Sequence, residues 1–185
     1  MVIALNVIEN QVNHKLEVEF ANEKLREANG NEMNENEINK KLTKVHNYLG
    51  TYALDELQNL RIRLFPSFLI INLDLRKNTG THWIGLALYH NDIYVCDSLG
   101  TILPTSRFPT ELVNFLHLFS FEKRLHITKQ LQPLSSSLCG KYTVCFIYIM
   151  SVTNNYSSFL SYFSLNFGIN DCIINLLEKS CFNKK

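Results

Sequence analysis

An excess of charge of one sign is missing from this chain of 185 residues: 18 basic and 17 acidic side chains leave a net charge of +1. No overall basic field therefore argues for nucleic acid. Paired cysteine motifs are missing too. Cys96, Cys139, Cys145, Cys172 and Cys181 are odd in number, contain no CxxC and follow no zinc-ligand spacing, and no secretory signal opens the chain. A reducing compartment fits that pattern best. A membrane span is absent as well. The longest apolar run, Tyr142 to Val152, is broken by Thr143 and Ser151 and is too short to cross a bilayer, so it reads as a buried helix. No internal repeat occurs. The length suits one domain with a real core, plus an appended segment.

The charges that are present are spread unevenly. Residues 1–50 hold 6 basic and 8 acidic groups, whereas residues 120–185 hold 7 basic and 3 acidic. A modestly basic C-terminal part and a set of solvated lysines explain this equally well. Residues 1–20 mix apolar and charged side chains at a spacing that suits a helix. Residues 21–47 are rich in Asn, Glu and Lys and read as a solvated helix or a linker. The compact domain is expected to begin near Leu42, leaving 1–41 as a charged N-terminal extension or helix without an assigned role.

From there the pattern predicts a mixed α+β domain. The run Phe68–Leu75 reads as a buried strand, THWIGLALYH as a second and IYVCDS as a third, with a polar tip at His90-Asn91-Asp92. Residues 109–121 have helical spacing with Pro109 near the start. Arg124–Leu131 suits a further strand, and a helix is expected from about Leu138 to Met150. Asn170 or Asp171 is placed to cap a last helix through Leu177. The expected architecture is a small, mostly antiparallel sheet with helices packed on it.

Within that frame four polar residues stand in order: His82, Asp97, Gln132 and Cys139. They supply a base, an orienting carboxylate, an amide donor and a thiol, the parts of a cysteine nucleophile site. Cys139 follows three serines that can cap backbone N–H groups, and it opens an apolar helix whose N-terminal partial charge favours a thiolate. Gly140 leaves room beside the sulfur for a substrate backbone. The other four cysteines are more simply buried structural residues. His82 opens a strand, a rigid mount for a base, and Trp83 points to the opposite face and packs. His14, His46, His90, His117 and His126 read as structural or solvent-facing. Gln132 precedes Pro133, and its amide could donate to an oxyanion alongside the Cys139 backbone N–H. A surface loop residue is its plain alternative.

Register decides whether Asp97 can reach His82. If Asn91-Asp92 alone forms the turn, Asp97 faces Leu86, too far along the strand. If the loop is Tyr89–Asp92, Leu88 pairs with Ile93, Asp97 faces Ile84, and His82 becomes its diagonal neighbour at about 7–8 Å between backbones. A triad requires that loop or a bulge. Asp97 also suits a turn-initiating role in Asp-Ser-Leu-Gly, and both roles can hold at once.

The segments NYLGTYALDEL, IINLD, GTHWIGLALY, IYVCDSLG and LQPLSSSLCGKY resemble the adenovirus maturation protease, adenain, and more closely the adenain-like proteases of Polinton/Maverick elements and related DNA viruses. The wider clan includes the SUMO-specific proteases. The resemblance covers about Leu42 to Met150 and implies a papain-like site in permuted order. It implies His82 as base, Asp97 as orienting acid, Cys139 as nucleophile and Gln132 as oxyanion donor, with residues 42–185 as the protease domain. It also implies cleavage of capsid or virion precursor proteins, inside a virion or an infected cell, in the nucleus or cytoplasm rather than by secretion. No cofactor is required by the sequence. The adenovirus enzyme uses DNA and a viral peptide as cofactors, and only the resemblance would bring either activator here. A monomer acting on protein substrates, without a membrane, is the expected state. Two other readings stand beside this one: an isopeptidase acting on ubiquitin-like modifiers, and an inactive binding module of the same fold.

Overall fold

The structure is a computed structural model, and it describes residues 32–78, 80–101, 107–119 and 123–182. The helix expected over residues 1–20 lies outside the described residues. Those described form one five-stranded sheet in the order β1-β2-β3-β4-β5. The strands are β1 (Tyr48–Ala53), β2 (Ser67–Asn72), β3 (Trp83–Leu88), β4 (Asp92–Cys96) and β5 (Arg124–Ile127). Helices α1 (Glu35–Leu42), α2 (Thr110–His117), α3 (Cys139–Thr153), α4 (Tyr156–Leu160) and α5 (Phe167–Phe182) complete the fold, with a 3₁₀ helix at Leu54–Asn59.

The sheet is mixed rather than mostly antiparallel. β2–β3 and β3–β4 pair antiparallel, but β1–β2 and β4–β5 pair parallel. The outer connections cause this. The 3₁₀ helix and residues 60–66 return the chain between β1 and β2, and α2 lies between β4 and β5, so each new strand starts from the same end as the last. β5 is also shorter than the expected Arg124–Leu131, and Gln132 sits in irregular chain beyond it.

The apolar strands have two cores to fill. Phe68, Ile70, Ala87 and Cys96 pack with α3 and residues of α1, α4 and α5. Leu69, Ile71, Ile84, Leu86, Leu88, Ile93 and Val95 pack on the other face with the 3₁₀ helix and α2. Burial on both faces explains why β2 reads as a continuous hydrophobic run. α3 lies close on β3 because Gly85 has no side chain: a Cβ there would stand 2.8 Å from Phe146 Cδ1. α3 is buried almost all round, as its apolar run predicts, and no described helix is long and apolar enough to cross a membrane.

Packing begins earlier than Leu42. A capping box at Asn34 and Glu37 starts α1, with Asn34 N–H donating to Glu37 and Glu37 N–H donating to the Asn34 side chain. Met33, Ile38 and Leu42 are all buried in the α3-side core. The polar composition of 21–47 hides this, because only a narrow stripe of α1 is apolar. The last helix also begins earlier than expected. It starts at Phe167, where Asn166 Oδ1 accepts from Gly168 N–H, so Asn170 and Asp171 lie inside it rather than capping it.

Candidate active site

The β3–β4 hairpin takes the register expected for a Tyr89–Asp92 loop, although Asp92 already belongs to β4 and the turn closes tightly over His90-Asn91. Tyr89 N–H donates to the Asp92 carbonyl at 2.8 Å, and Leu88 pairs with Ile93. That register carries Asp97 to the level of Ile84, one step past the Gly85–Cys96 pair. The His82 side chain reaches it: Nε2–H donates to Asp97 Oδ1 at 2.7 Å, with both residues buried. A carboxylate only accepts, so Nε2 carries the proton and Nδ1 is the lone-pair nitrogen of the neutral ring.

Asp97 is held from several sides. Its backbone N–H donates to Thr128 Oγ1 at 2.9 Å, the Thr128 hydroxyl donates to its carbonyl at 2.9 Å, and the Thr101 hydroxyl donates to Oδ2 at 3.2 Å. The Asp97 carbonyl also accepts from Gly100 N–H at 3.1 Å, closing the Asp-Ser-Leu-Gly turn. The turn role and the contact with His82 therefore coexist.

Nδ1 of His82 makes no hydrogen bond of standard geometry among the described residues. Cys139 lies near enough to act on the same ring. Burial pushes the imidazole pKa down, but Asp97 and Cys139 more than reverse this and hold it at about 9. A thiol beside an imidazole whose far nitrogen is held by a carboxylate is an arrangement able to pass the thiol proton to the ring. By contrast, burial pushes the Cys96 and Cys145 thiols well up, which keeps them protonated and inert.

Cys139 opens α3, as the sequence predicts, but not through serine capping. Leu138 occupies the cap position, and no side chain caps the helix. Ser136 Oγ accepts only the Leu138 N–H, at 3.3 Å. The space at Gly140 is also used differently from the expectation. A Cβ there would stand 2.8 Å from Met33 Cβ and 3.5 Å from Trp83 Cδ1, so the glycine admits neighbouring residues of this chain rather than a substrate backbone. Trp83 in turn donates its Nε1–H to the Met33 carbonyl at 3.1 Å. This packing was not legible in the sequence, because the partner lies fifty residues upstream in a polar segment.

Gln132 is not a surface loop residue but fully buried. The Ser98 hydroxyl donates to its Oε1 at 2.7 Å, and its Nε2 donates to the Ser136 carbonyl at 2.6 Å. A carbonyl cannot donate, so this network fixes which end of the amide is nitrogen. Its backbone N–H donates to the Ser98 carbonyl at 2.9 Å. Gln132 thus links the residue after Asp97 to the loop before Cys139. Ser98 lay inside the Asp-Ser-Leu-Gly motif, yet nothing local indicates a partner thirty-four residues away.

A cavity of about 450 Å³ is lined among others by Tyr52, Asn72, Arg76, Gly80, Thr81 and Trp83, and by none of His82, Asp97, Gln132 and Cys139. Thr81 and Trp83 flank His82 in the chain. The remaining histidines stay away from the thiol: His46, His90 and His117 are exposed, and His126 bonds Asp92 at 2.9 Å. His14 lies outside the described residues.

No family model matches the sequence, and no curated protein does. Solved structures do match. The ASFV pS273R protease is 12% identical with a TM-score of 0.54, over 85% of this chain and 69% of that one. The central domain of the uncharacterised Lpg1148 protein from Legionella pneumophila is 11% identical with a TM-score of 0.47, over 82% of this chain and 97% of that one. ChlaDub1 from Chlamydia trachomatis is 11% identical with a TM-score of 0.43, over 64% and 60%. This chain, with its five-stranded sheet, the Cys139 helix packed against it and the His82–Asp97 pair, thus shares the fold of the ASFV pS273R protease.

Proposed function

We propose that this chain is a cysteine endopeptidase, encoded by a virus or a transposon, that cleaves virion or capsid precursor proteins. The observation carrying this reading is the buried His82–Asp97 bond, with Nδ1 left unpartnered and Cys139 acting on the same ring. The fold shared with the ASFV protease supports the reaction class. The sequence likeness to adenain and its Polinton relatives supports the substrate class.

In this mechanism His82 takes the Cys139 proton through Nδ1 while Asp97 keeps Nε2–H in place. The thiolate adds to the scissile carbonyl carbon. The resulting oxyanion receives hydrogen bonds from Gln132 Nε2–H and from the Cys139 backbone N–H, at a helix start without a side-chain cap. Gln132 has one amide hydrogen on the Ser136 carbonyl, which leaves its second for this task. Collapse breaks the C–N bond, the imidazolium protonates the departing amine, and a thioester remains on Cys139. Water, deprotonated by His82, then releases the acid and restores the thiol.

The test is labelling with a peptide carrying a thiol-directed electrophile. Label should arrive on Cys139, vanish in Cys139→Ala and slow strongly in His82→Ala. A protein that takes no label, or takes it on another cysteine, would sink the proposal. Cleavage of ubiquitin-like modifier conjugates but of no capsid precursor would assign the isopeptidase reading, whose chemistry is the same.

A further inference from the structure

The C-terminal helix makes contact with the chain on both sides of Gln132. Asn170, inside α5, is fully buried. Its Nδ2 donates to the Leu131 carbonyl at 2.8 Å and to the Ser164 carbonyl at 3.0 Å, and its Oδ1 accepts from Ser164 N–H at 2.9 Å. Both amide hydrogens and the oxygen are committed, so the carboxamide has one orientation and no freedom to flip. The next residue along, Asp171, accepts from the Tyr142 hydroxyl at 3.0 Å and from Ser136. Ser136 is also the residue whose carbonyl receives Gln132 Nε2–H.

The Leu131–Gln132 segment is held by individual bonds rather than by a sheet: Leu131 packs in the core, and the Gln132 carboxamide is bonded to Ser98 and Ser136. β5 ends at Ile127, so no strand ladder holds it. Leu131 and Gln132 N–H both go to the single Ser98 carbonyl, and Gln130 Nε2 donates to the Gln132 carbonyl at 2.9 Å. The peptide plane leading into Gln132 is held at both ends, by Gln132 N–H on the Ser98 carbonyl and by Asn170 Nδ2–H on the Leu131 carbonyl. We propose that Asn170 is a positioning residue for the oxyanion donor: by fixing the Leu131 carbonyl it sets the placement of the Gln132 carboxamide. The inference rests on the cysteine peptidase reading for its catalytic meaning, but the placement itself can be read without turnover.

The test uses the full chain with Asn170→Asp, which keeps the shape and removes both donors, and Asn170→Ser as a second variant that retains one donor should the first fail to fold. Asn155→Ala, which removes the α4 cap bond to Ser157 N–H, serves as a destabilised control. The Gln132 side-chain amide is assigned in a proton–nitrogen NMR spectrum by its loss in Gln132→Ala. It should shift or broaden in the Asn170 variants and stay in place in the control. The turnover number should fall tenfold or more with the Michaelis constant nearly unchanged, and alkylation of Cys139 by iodoacetamide should keep its rate. In a Gln132→Ala background the Asn170 substitution should cost almost nothing further. An unmoved Gln132 amide overturns the proposal, as does an equal loss of rate with and without Gln132. A moved amide together with a fully active Gln132→Ala enzyme would instead remove the oxyanion role, a failure of the peptidase mechanism and not of the placement.

Discussion

At the scale of single residues, His82 is where opposing effects meet. Burial alone would lower its pKa; the Asp97 carboxylate and Cys139 carry it to about 9. Folded His82 therefore holds its proton more tightly than the unfolded side chain at 6.5. The resulting contribution to stability is complete below pH 6.5 and is lost as pH rises through about 9. Activity that needs the imidazolium should fall over the same upper range. Asp97→Asn removes the largest upward influence, so the imidazole pKa should drop, and the alkaline limb of kcat/KM should move down with it. Histidine ring shifts followed by NMR across a pH series measure the first, and rate profiles the second. An alkaline limb that stays put would detach Asp97 from the base. Cys139→Ala should abolish hydrolysis, keep the melting temperature close to that of the parent and also lower the His82 pKa, because Cys139 is itself one of the groups raising it. Cys145→Ala, deep in α3, should instead act through stability. Gln132→Ala should reduce the turnover number by about 10²–10³ with little change in the Michaelis constant, the usual cost of one oxyanion donor. Full turnover in that variant would assign the second donor elsewhere.

At the scale of elements, legibility in the sequence followed the range of the interaction. Strands β2, β3 and β4 were legible because alternation and apolar runs are local signals. The hairpin register was one of two that the sequence left open, and the pairing of Leu88 with Ile93 decides it. Once that pair is made, Asp97 falls within reach of His82 without any bulge. The start of α3 at Cys139 was legible from the apolar run, but its cap was not: Ser136 is turned to Leu138 and to α5, so the serines do not do what their position suggests. The parallel outer strands were hidden because sequence alternation carries no strand direction. Gly85 is the element-scale contact that matters most for the site, since it sets how near α3 comes to β3, the strand that His82 precedes. Gly85→Ala would bring a Cβ to 2.8 Å from the Phe146 ring. Overpacking of this kind typically costs about 1–3 kcal/mol, and here the Phe146 ring, or the helix that carries both it and Cys139, must shift. Denaturant melts should register the loss, and peptide turnover should fall with it. Adding Phe146→Leu should return part of both; if it returns neither, the contact is not the cause.

At the scale of the whole molecule, the site is assembled from chain that enters from opposite ends of the sequence. α1, β3 and α3 meet where Met33, Trp83 and Gly140 touch, and α5 closes over the Gln132 loop. The sequence made the four polar residues visible but not this surround, because the Asn- and Glu-rich run before Leu42 looks solvated until its few apolar residues find the core. Ile38 tests how far the molecule depends on that segment. It is fully buried, and its Cδ1 would lie 3.6 Å from a Cβ at position 140. Ile38→Ala should cost roughly 2–5 kcal/mol, the range for truncating a buried aliphatic side chain. An extension that merely rested on a finished domain would give a far smaller loss. The chain has one tryptophan, Trp83, and its indole N–H is bonded to Met33. Loosening α1 should therefore shift tryptophan emission to longer wavelength before global unfolding, and the same concentration of denaturant should depress peptide turnover. If Ile38→Ala melts like the parent with unchanged emission, the packing of α1 against the Cys139 helix contributes nothing to the fold, and the folded unit does begin near Leu42.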